Sequence, residues 1–202
     1  QEANSSKSGH FYSALYSIVS QQITILRYLM EERKNLMKEQ VKHNLEPIFD
    51  ANSQILILGT MPSPKSREAG FYYAHPQNRF WRVIAEVLSQ ALPVTIEEKK
   101  MMLLNNHIAL WDVLETCDIK GADDSSIQNP KANDMNVILS GSNITTIFTT
   151  GVKATTLYRK YCYPATKIEP IYLPSTSAAN CARYTYDDLV KAYQCILKHI
   201  SS

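Results

Sequence analysis

The sequence lacks the features that mark a membrane-spanning protein, a metalloprotein or a disulfide-rich secreted domain. Its longest uninterrupted aliphatic run, residues 55–58, is far too short to span a bilayer. No metal-ligand spacing such as C-x-x-C joins the four cysteines, which are Cys117, Cys162, Cys181 and Cys195. We therefore expect four reduced thiols, no iron–sulfur cluster and no bound metal.

A strong net charge is also missing. The 202 residues are 45% hydrophobic and 20% charged, with a net charge of +2, as is usual for one soluble globular domain. Any DNA contact must therefore come from local basic patches. The polar start, QEANSSKSGH, does not resemble a signal peptide, so we expect a cytoplasmic protein without a membrane anchor. The missing initiator methionine suggests a processed, trimmed or partial chain.

Residues 1–42 predict an N-terminal helical extension. Apolar residues recur there at helical spacing, namely Leu15, Ile18, Val19, Ile23, Leu26, Leu29 and Met30. The charged stretch that follows, ERKNLMKEQVK, is predicted to continue the helical region. Pro47 and Asn52-Ser53 then interrupt the pattern. We expect the second unit to comprise residues 43–202.

Short apolar runs alternate with helical patterns in this second unit. The predicted strands are residues 55–58, 108–114, 146–150 and 168–173, and predicted helices lie near Phe80, Asn136, Gly151 and Tyr186. The alternation predicts a three-layer α/β/α sandwich with a short four-stranded parallel sheet. Because ligands of such sheets bind at the carboxyl ends of the strands, the segments that follow each strand are the candidate site.

The first strand leads into the loop GTMPSPKSREAGFYYAHPQNRFW. Gly59 and two prolines predict a tight turn whose backbone N–H groups could face a ligand, although no nucleotide-binding P-loop is present. This stretch contains four cations and one acidic residue, Glu68, so its local net charge is +3. Such a charge suits phosphate contacts and a solvated loop equally. The cations are Lys65, Arg67, Arg79 and Arg82.

Three aromatic residues, Phe71, Tyr72 and Tyr73, stand in this polar loop. Aromatic faces can stack on an unpaired base. Ordinary packing is nevertheless the preferred interpretation for at least two of the three.

Two motifs in order carry a family resemblance. The strand and loop ILILGTMPS and FYYAHPQNRFW closely resemble the uracil-DNA glycosylase superfamily, specifically its hypoxanthine-DNA glycosylase branch. LPSTSAAN resembles that branch's second motif, which usually reads LPSTSPAN, and IALWDVLETCDIKGADDSSI resembles its middle segment. The resemblance covers roughly Val41 to the C-terminus. It implies a monofunctional, monomeric DNA glycosylase that removes a deaminated base from double-stranded DNA without metal or cofactor, with hypoxanthine preferred and uracil or xanthine open.

The resemblance also implies roles for individual residues. Many members hold the attacking water with an Asp or Asn in the first motif. In this chain that position is Met61, which cannot orient water. The resemblance therefore assigns the catalytic role to Asn78. The implied base pocket comprises Gly59, Thr60, Met61, Pro62, Ser63, Tyr73 and His75, with Tyr73 stacking on the base. The implied DNA intercalation loop comprises Pro174, Ser175, Thr176, Ser177 and Asn180.

The second motif departs from the family pattern at two positions. Ala178 replaces the usual proline, which affects the stiffness of the intercalation loop. Ser175 stands nearest to the histidine that stabilises the leaving base in classical uracil enzymes. His75 suits a structural turn as well as a site role. No convincingly placed lysine nucleophile occurs in the motifs, so we expect no strand cleavage.

Other acidic residues and other functions remain open. A helix cap or salt bridge is favoured for Asp112 over a role in orienting a site loop, and a solvated loop is favoured for residues 123–126. A non-catalytic nucleic-acid or nucleotide-binding module, in which Met61 reflects a lost active site, is the alternative function. A small-molecule hydrolase is disfavoured because the sequence has no G-x-S-x-G nucleophile elbow.

Overall fold

The described residues before position 43 form a helical segment and a strand. The computed structural model describes residues 16–30, 33 and 39–200. Residues 16–30, here helix α1, and residue 33 are helical, and the apolar side chains of residues 16–30 are exposed. The prediction that the helix continues to residue 42 is wrong, because strand β1 (Glu39–Lys42) pairs with a later strand. Leu15 lies outside the described residues.

Six strands follow β1, and four of them form the predicted parallel sheet. In chain order they are β2 (Ile55–Gly59), β3 (Ile108–Asp112), β4 (Leu114–Lys120), β5 (Asp123–Ala132), β6 (Thr146–Thr150) and β7 (Ile171–Leu173). The parallel sheet has the order β3-β2-β6-β7. Every residue of β2 and β3 is buried, as expected of strands covered on both faces. The predicted α/β fold with a four-stranded parallel sheet is confirmed.

Seven α-helices follow β2 along the chain. They are α2 (Pro64–Ala69), α3 (Phe80–Val87), α4 (Ile96–Asn105), α5 (Asn136–Leu139), α6 (Val152–Tyr161), α7 (Tyr163–Thr166) and α8 (Tyr186–Tyr193). Capping boxes start α4 at Thr95 and α8 at Thr185. The closing helix, predicted to reach Ile200, changes to a 3-10 helix over Gln194–Lys198.

A second, antiparallel sheet was not predicted. It has the order β1-β4-β5. The predicted second strand, residues 108–114, is divided at Val113 because the chain leaves the parallel sheet there and enters β4. At this point Val113 N–H donates to the carbonyl of Gly59 over 2.9 Å, and Leu114 N–H donates to that of Thr60 over 3.1 Å. The sheets are therefore joined directly beside the end of β2.

Candidate active site

A cavity of about 710 Å³ opens at the carboxyl ends of the parallel strands. This volume lies within the range of small-ligand sites. One side, here the motif wall, comprises residues 59–63, 66, 72, 73, 78, 175–177, 179 and 180. The other side, here the hairpin wall, comprises residues 119–125 at the turn between β4 and β5. Asp112 and Thr150 line the cavity from the ends of β3 and β6.

The motif wall contains all the predicted site residues except His75 and Pro174. The His75 ring accepts a hydrogen bond from the Gln77 N–H over 3.2 Å, as in a local turn. The carbonyl of Pro174 accepts from the Tyr193 hydroxyl over 2.9 Å. The structure thus brings the two sequence motifs into one cavity, while the individual roles of their residues stay predictions.

The first motif is shaped by a short capped helix. The Ser63 hydroxyl accepts from the Ser66 N–H at the start of α2, and Pro64 occupies the first helical turn. The buried Ser66 hydroxyl accepts from the Ala74 N–H over 3.2 Å. These bonds hold the two ends of the loop together, so that residues 59–63 and Tyr73 face the same space.

All three loop aromatics pack against other rings, and Tyr72 and Tyr73 also line the cavity. Phe71 and Tyr72 are buried, and the Phe71 ring stacks on Trp81 with centroids 5.7 Å apart, which confirms the packing predicted for at least two of the three. Tyr73 lines the cavity, and its ring stacks on Phe80 at a centroid distance of 3.9 Å. Its hydroxyl lies 3.2 Å from the Thr150 hydroxyl. Burial, followed by the charge of Asp112, raises the pKa of Tyr73.

Asn78 joins the two motifs. Its Oδ1 accepts from the Phe80 N–H and from the Thr176 hydroxyl, each over 2.9 Å. The first bond fixes the amide at the start of α3, and the second fixes it to the buried Thr176 of the second motif. Two donors occupy the two lone pairs of this oxygen. The side chain is half-buried and lines the cavity. The two hydrogen bonds hold it rigidly in that position.

Arg79 strengthens the same connection. Its guanidinium donates to the carbonyl of Tyr184 over 2.6 Å, and its backbone N–H donates to that of Thr176 over 3.1 Å. Pro174 and Thr176, at the base of the second-motif loop, are buried. This burial and the two hydrogen bonds of Arg79 together fix the base of the loop. Ala178–Asn180 forms a 3-10 turn beyond this base, with Ser177 as its cap.

Two acidic residues at the cavity differ from their predicted roles. Asp112 is 4% exposed, and its Oδ2 has no hydrogen-bond partner among the described residues. Burial first, and then the charge of Asp124, raises the pKa of Asp112 to about 8. Asp124 itself accepts from the Thr60 hydroxyl over 2.7 Å, and burial raises its pKa.

Sequence reasoning therefore missed both carboxyl groups. The prediction of a cap or salt bridge for Asp112 is wrong, and so is that of a solvated loop for Asp124. An acidic residue inside the apolar run IALWDVL was the available signal for Asp112.

The predicted cations of the first loop mostly contact other protein groups. Lys65 pairs with Glu68 and Arg67 with Glu39, at 2.8 and 2.7 Å, while Arg82 lies over the ring of Tyr186. These contacts, together with those of Arg79, account for all four cations that gave the local charge of +3. Among the described residues, no group of three His, Cys, Asp or Glu side chains could hold a metal, and no helix could cross a membrane.

Comparison with known proteins places the chain in a family. Residues 46–198 match the model of the uracil DNA glycosylase superfamily. Two curated relatives, each named hypoxanthine DNA glycosylase, come from Methanosarcina acetivorans and Methanosarcina barkeri. The first is 37% identical over 95 residues, which cover 46% of this chain and 60% of the relative. The second is 32% identical over 98 residues, which cover 48% of this chain and 62% of the relative.

A solved structure gives the same result. The solution NMR structure of a Methanosarcina acetivorans protein, provisionally named a uracil DNA glycosylase, is similar with a TM-score of 0.65 and 27% sequence identity. The similarity covers 79% of this chain and 99% of that one. The chain spans about three fifths of the length of the curated relatives that it matches. Since the family model matches most of its length, the chain belongs to the uracil DNA glycosylase superfamily.

Proposed function

We propose that this chain is a monofunctional DNA glycosylase that removes a deaminated base, hypoxanthine foremost, from double-stranded DNA. It acts as a cytoplasmic monomer and needs no metal or cofactor. The observation that carries the proposal is one cavity in which the Tyr73 ring, the Asn78 amide and the Asp112 carboxyl meet at the strand ends. The names of the two curated relatives, hypoxanthine DNA glycosylase, support the choice of base.

Tyr73 and Asn78 have separate tasks in this proposal. The damaged nucleotide swings out of the duplex, and its base stacks on the face of Tyr73 that is not covered by Phe80. Asn78 orients a water molecule toward the sugar C1′, where the N-glycosidic bond breaks through an oxocarbenium-like state. Since Oδ1 of Asn78 already accepts from Thr176, the water displaces the Thr176 hydroxyl from this oxygen.

The second-motif loop fills the space that the base leaves. Pro174 and Thr176 hold its buried base, so the inserted part is residues 177–180. Ser177 caps the 3-10 turn through the Ala179 N–H over 3.4 Å and thereby gives this part a defined shape without the family's proline.

The experiment uses duplex oligonucleotides that each carry one inosine, uracil or xanthine. Base release is measured as strand cleavage after alkali treatment. A parallel sample without alkali tests for lyase activity, which would need an amine nucleophile, because Lys120 lines the cavity. We expect product only after alkali, fastest with inosine. Asn78→Ala should lower the single-turnover rate by about a hundredfold or more and retain DNA binding. Asn44→Ala, at an exposed position outside this cavity, is the matched control.

Each part of the proposal has its own contrary result. DNA binding without base release from any duplex would favour the non-catalytic module. Cleavage without alkali would contradict monofunctional chemistry. Wild-type rates in Asn78→Ala would remove the role of Asn78 and leave the glycosylase function intact.

A further inference from the structure

The Asp112 carboxyl is a buried polar group with unused hydrogen-bonding capacity. It stands at the last position of β3, lines the cavity and is 4% exposed. Its Oδ2 makes no hydrogen bond in the part of the chain that the structure describes. A buried polar atom without a partner is costly to maintain unless a ligand supplies the partner.

We infer that Asp112, in its neutral form, donates a hydrogen bond to the carbonyl oxygen of the extruded base and so selects deaminated bases over amino bases. This inference deepens the proposed glycosylase function and rests on it. Asp112 is thus a specificity-determining residue.

Gly59 makes the position of Asp112 possible. The two residues are partners in the parallel register of β2 and β3. A Cβ atom at Gly59 would collide with Oδ1 of Asp112 and would lie 3.3 Å from the Tyr73 hydroxyl. Oδ1 therefore packs against the glycine backbone, and neither Oδ1 nor the enclosed Oδ2 has a hydrogen-bond partner among the described residues.

The surroundings of Asp112 favour its protonated form. Burial is the main cause of the rise in its pKa to about 8, and the carboxyl group of Asp124 on β5 adds to it. The other titratable groups that interact with it are the phenols of Tyr72 and Tyr73, whose pKa values are raised by burial first and then by the charge of Asp112. The Tyr73 hydroxyl is bonded to that of Thr150 and the Tyr72 hydroxyl donates to the carbonyl of Glu46, so neither phenol is hydrogen-bonded to the Asp112 carboxyl group. At neutral pH the group can donate its proton in a hydrogen bond.

Deamination changes the hydrogen bond that a base offers. Adenine carries an amino donor at the position where hypoxanthine carries a carbonyl acceptor, and cytosine and uracil differ in the same way. When the oxygen of Asp112 that faces the base carries the proton, this hydroxyl satisfies the carbonyl group of a deaminated base. Facing an amino group, the same hydroxyl would place two donors opposite each other. A site built around one such hydrogen bond can discriminate strongly against a substrate that lacks the matching group.

The test compares Asp112→Asn with Asp112→Ala. The amide of Asn has nearly the size of the carboxyl group and keeps a donor that does not titrate. Single-turnover rates are measured on duplexes with inosine or adenine from pH 6 to pH 9.5. Asp187→Asn, an exposed position on α8, is the matched control, and thermal melting verifies folding.

The expected results separate a donor from other roles. Wild-type activity on inosine should fall above pH about 8, as the carboxyl group loses its proton. Asp112→Asn should stay within about tenfold of the wild type at neutral pH and lose this alkaline fall. Asp112→Ala should lose about a hundredfold on inosine and discriminate less against adenine.

Several results would overturn the inference. An Asn variant as slow as the Ala variant would show that charge or proton transfer is required. An Ala variant with wild-type rate and selectivity would remove Asp112 from base recognition. If the wild type releases no base from any duplex, the glycosylase proposal fails, and Asp112 is then judged by NMR-monitored binding of free hypoxanthine and free adenine. Equal affinity for the two bases, or binding of neither, overturns the inference.

Discussion

The two walls of the cavity are held in different ways. The motif wall is bonded to itself, since Asn78 and Arg79 connect the first motif to Thr176 and Tyr184. The hairpin wall is attached across the cavity by the hydrogen bond between Thr60 and Asp124. The motif wall therefore fixes atomic positions, whereas the hairpin wall adds negative charge that alters the ionisation of Asp112. Substitutions in the two walls should accordingly have different signatures.

Gly59→Ala should have the largest effect, because Gly59 is the residue of the motif wall that lies against the Asp112 carboxyl group. The new Cβ collides with Asp112 and comes within 3.3 Å of the Tyr73 hydroxyl, so the carboxyl group and the ring must both shift. We expect a loss of about a hundredfold in single-turnover rate on inosine and a loss of about 1–3 kcal/mol in stability.

Gly70→Ala is the control for this substitution. Gly70 has open space around its Cβ position but a φ of +64°. It should therefore lower the melting temperature through backbone strain and leave the rate unchanged. A Gly59→Ala variant that keeps the wild-type rate would show that the close contact has no catalytic importance.

Asp124→Asn should change pH dependence more than rate. The amide keeps an acceptor for Thr60 and removes the negative charge that raises the pKa of Asp112. A lower pKa means that Asp112 loses its proton at lower pH, so the alkaline fall in activity should move toward neutrality. The pH profile of the single-turnover rate measures this shift.

The neighbouring Asp123→Asn tests whether the effect is specific. Asp123 also lines the cavity, but its carboxylate bonds to Ser125 and does not contribute to the pKa of Asp112. Its profile should match the wild type. An equal shift in both variants would mean that overall charge, and not the position of Asp124, controls the ionisation of Asp112.

Tyr73→Phe should have the smallest effect. It keeps the ring that stacks on Phe80 and removes the hydrogen bond to Thr150. The expected cost is about 0.5–1.5 kcal/mol of stability, measured by chemical denaturation, with at most a modest change in rate. A large loss of base release would mean that the hydroxyl, and not the ring face, contacts the substrate.

The sequence predicted the motif wall better than the hairpin wall for a physical reason. Buried strands such as Ile55–Gly59 have a continuous apolar signal, and the two motifs follow their ends directly. Strand β5 has Ile127 as its one buried residue and pairs with β4 through several register shifts. Its sequence therefore lacks the alternation of apolar and polar residues that identifies a strand. The residues around Asp124 in the sequence therefore gave no indication that Asp124 lines the cavity.

Asp112 shows the same limit in a strand that was predicted to reach residue 114 but ends at Asp112. Its position at the end of β3 could be predicted, but its ionisation depends on burial and on a carboxyl group from β5. The two bonds to Asn78 Oδ1 likewise depend on contacts between distant motifs. Local pattern indicates which side chains approach the cavity, and long-range packing determines their protonation and hydrogen bonding.

The backbone of Tyr73 has one further consequence. Its φ of 52° is uncommon for a residue with a side chain and costs about 1 kcal/mol, which the ring contact with Phe80 and the bond to Thr150 offset. These two contacts hold the ring in one orientation at the cavity. An incoming planar ligand must therefore adapt its own orientation to the protein, and little entropy is lost in ordering this part of the receptor.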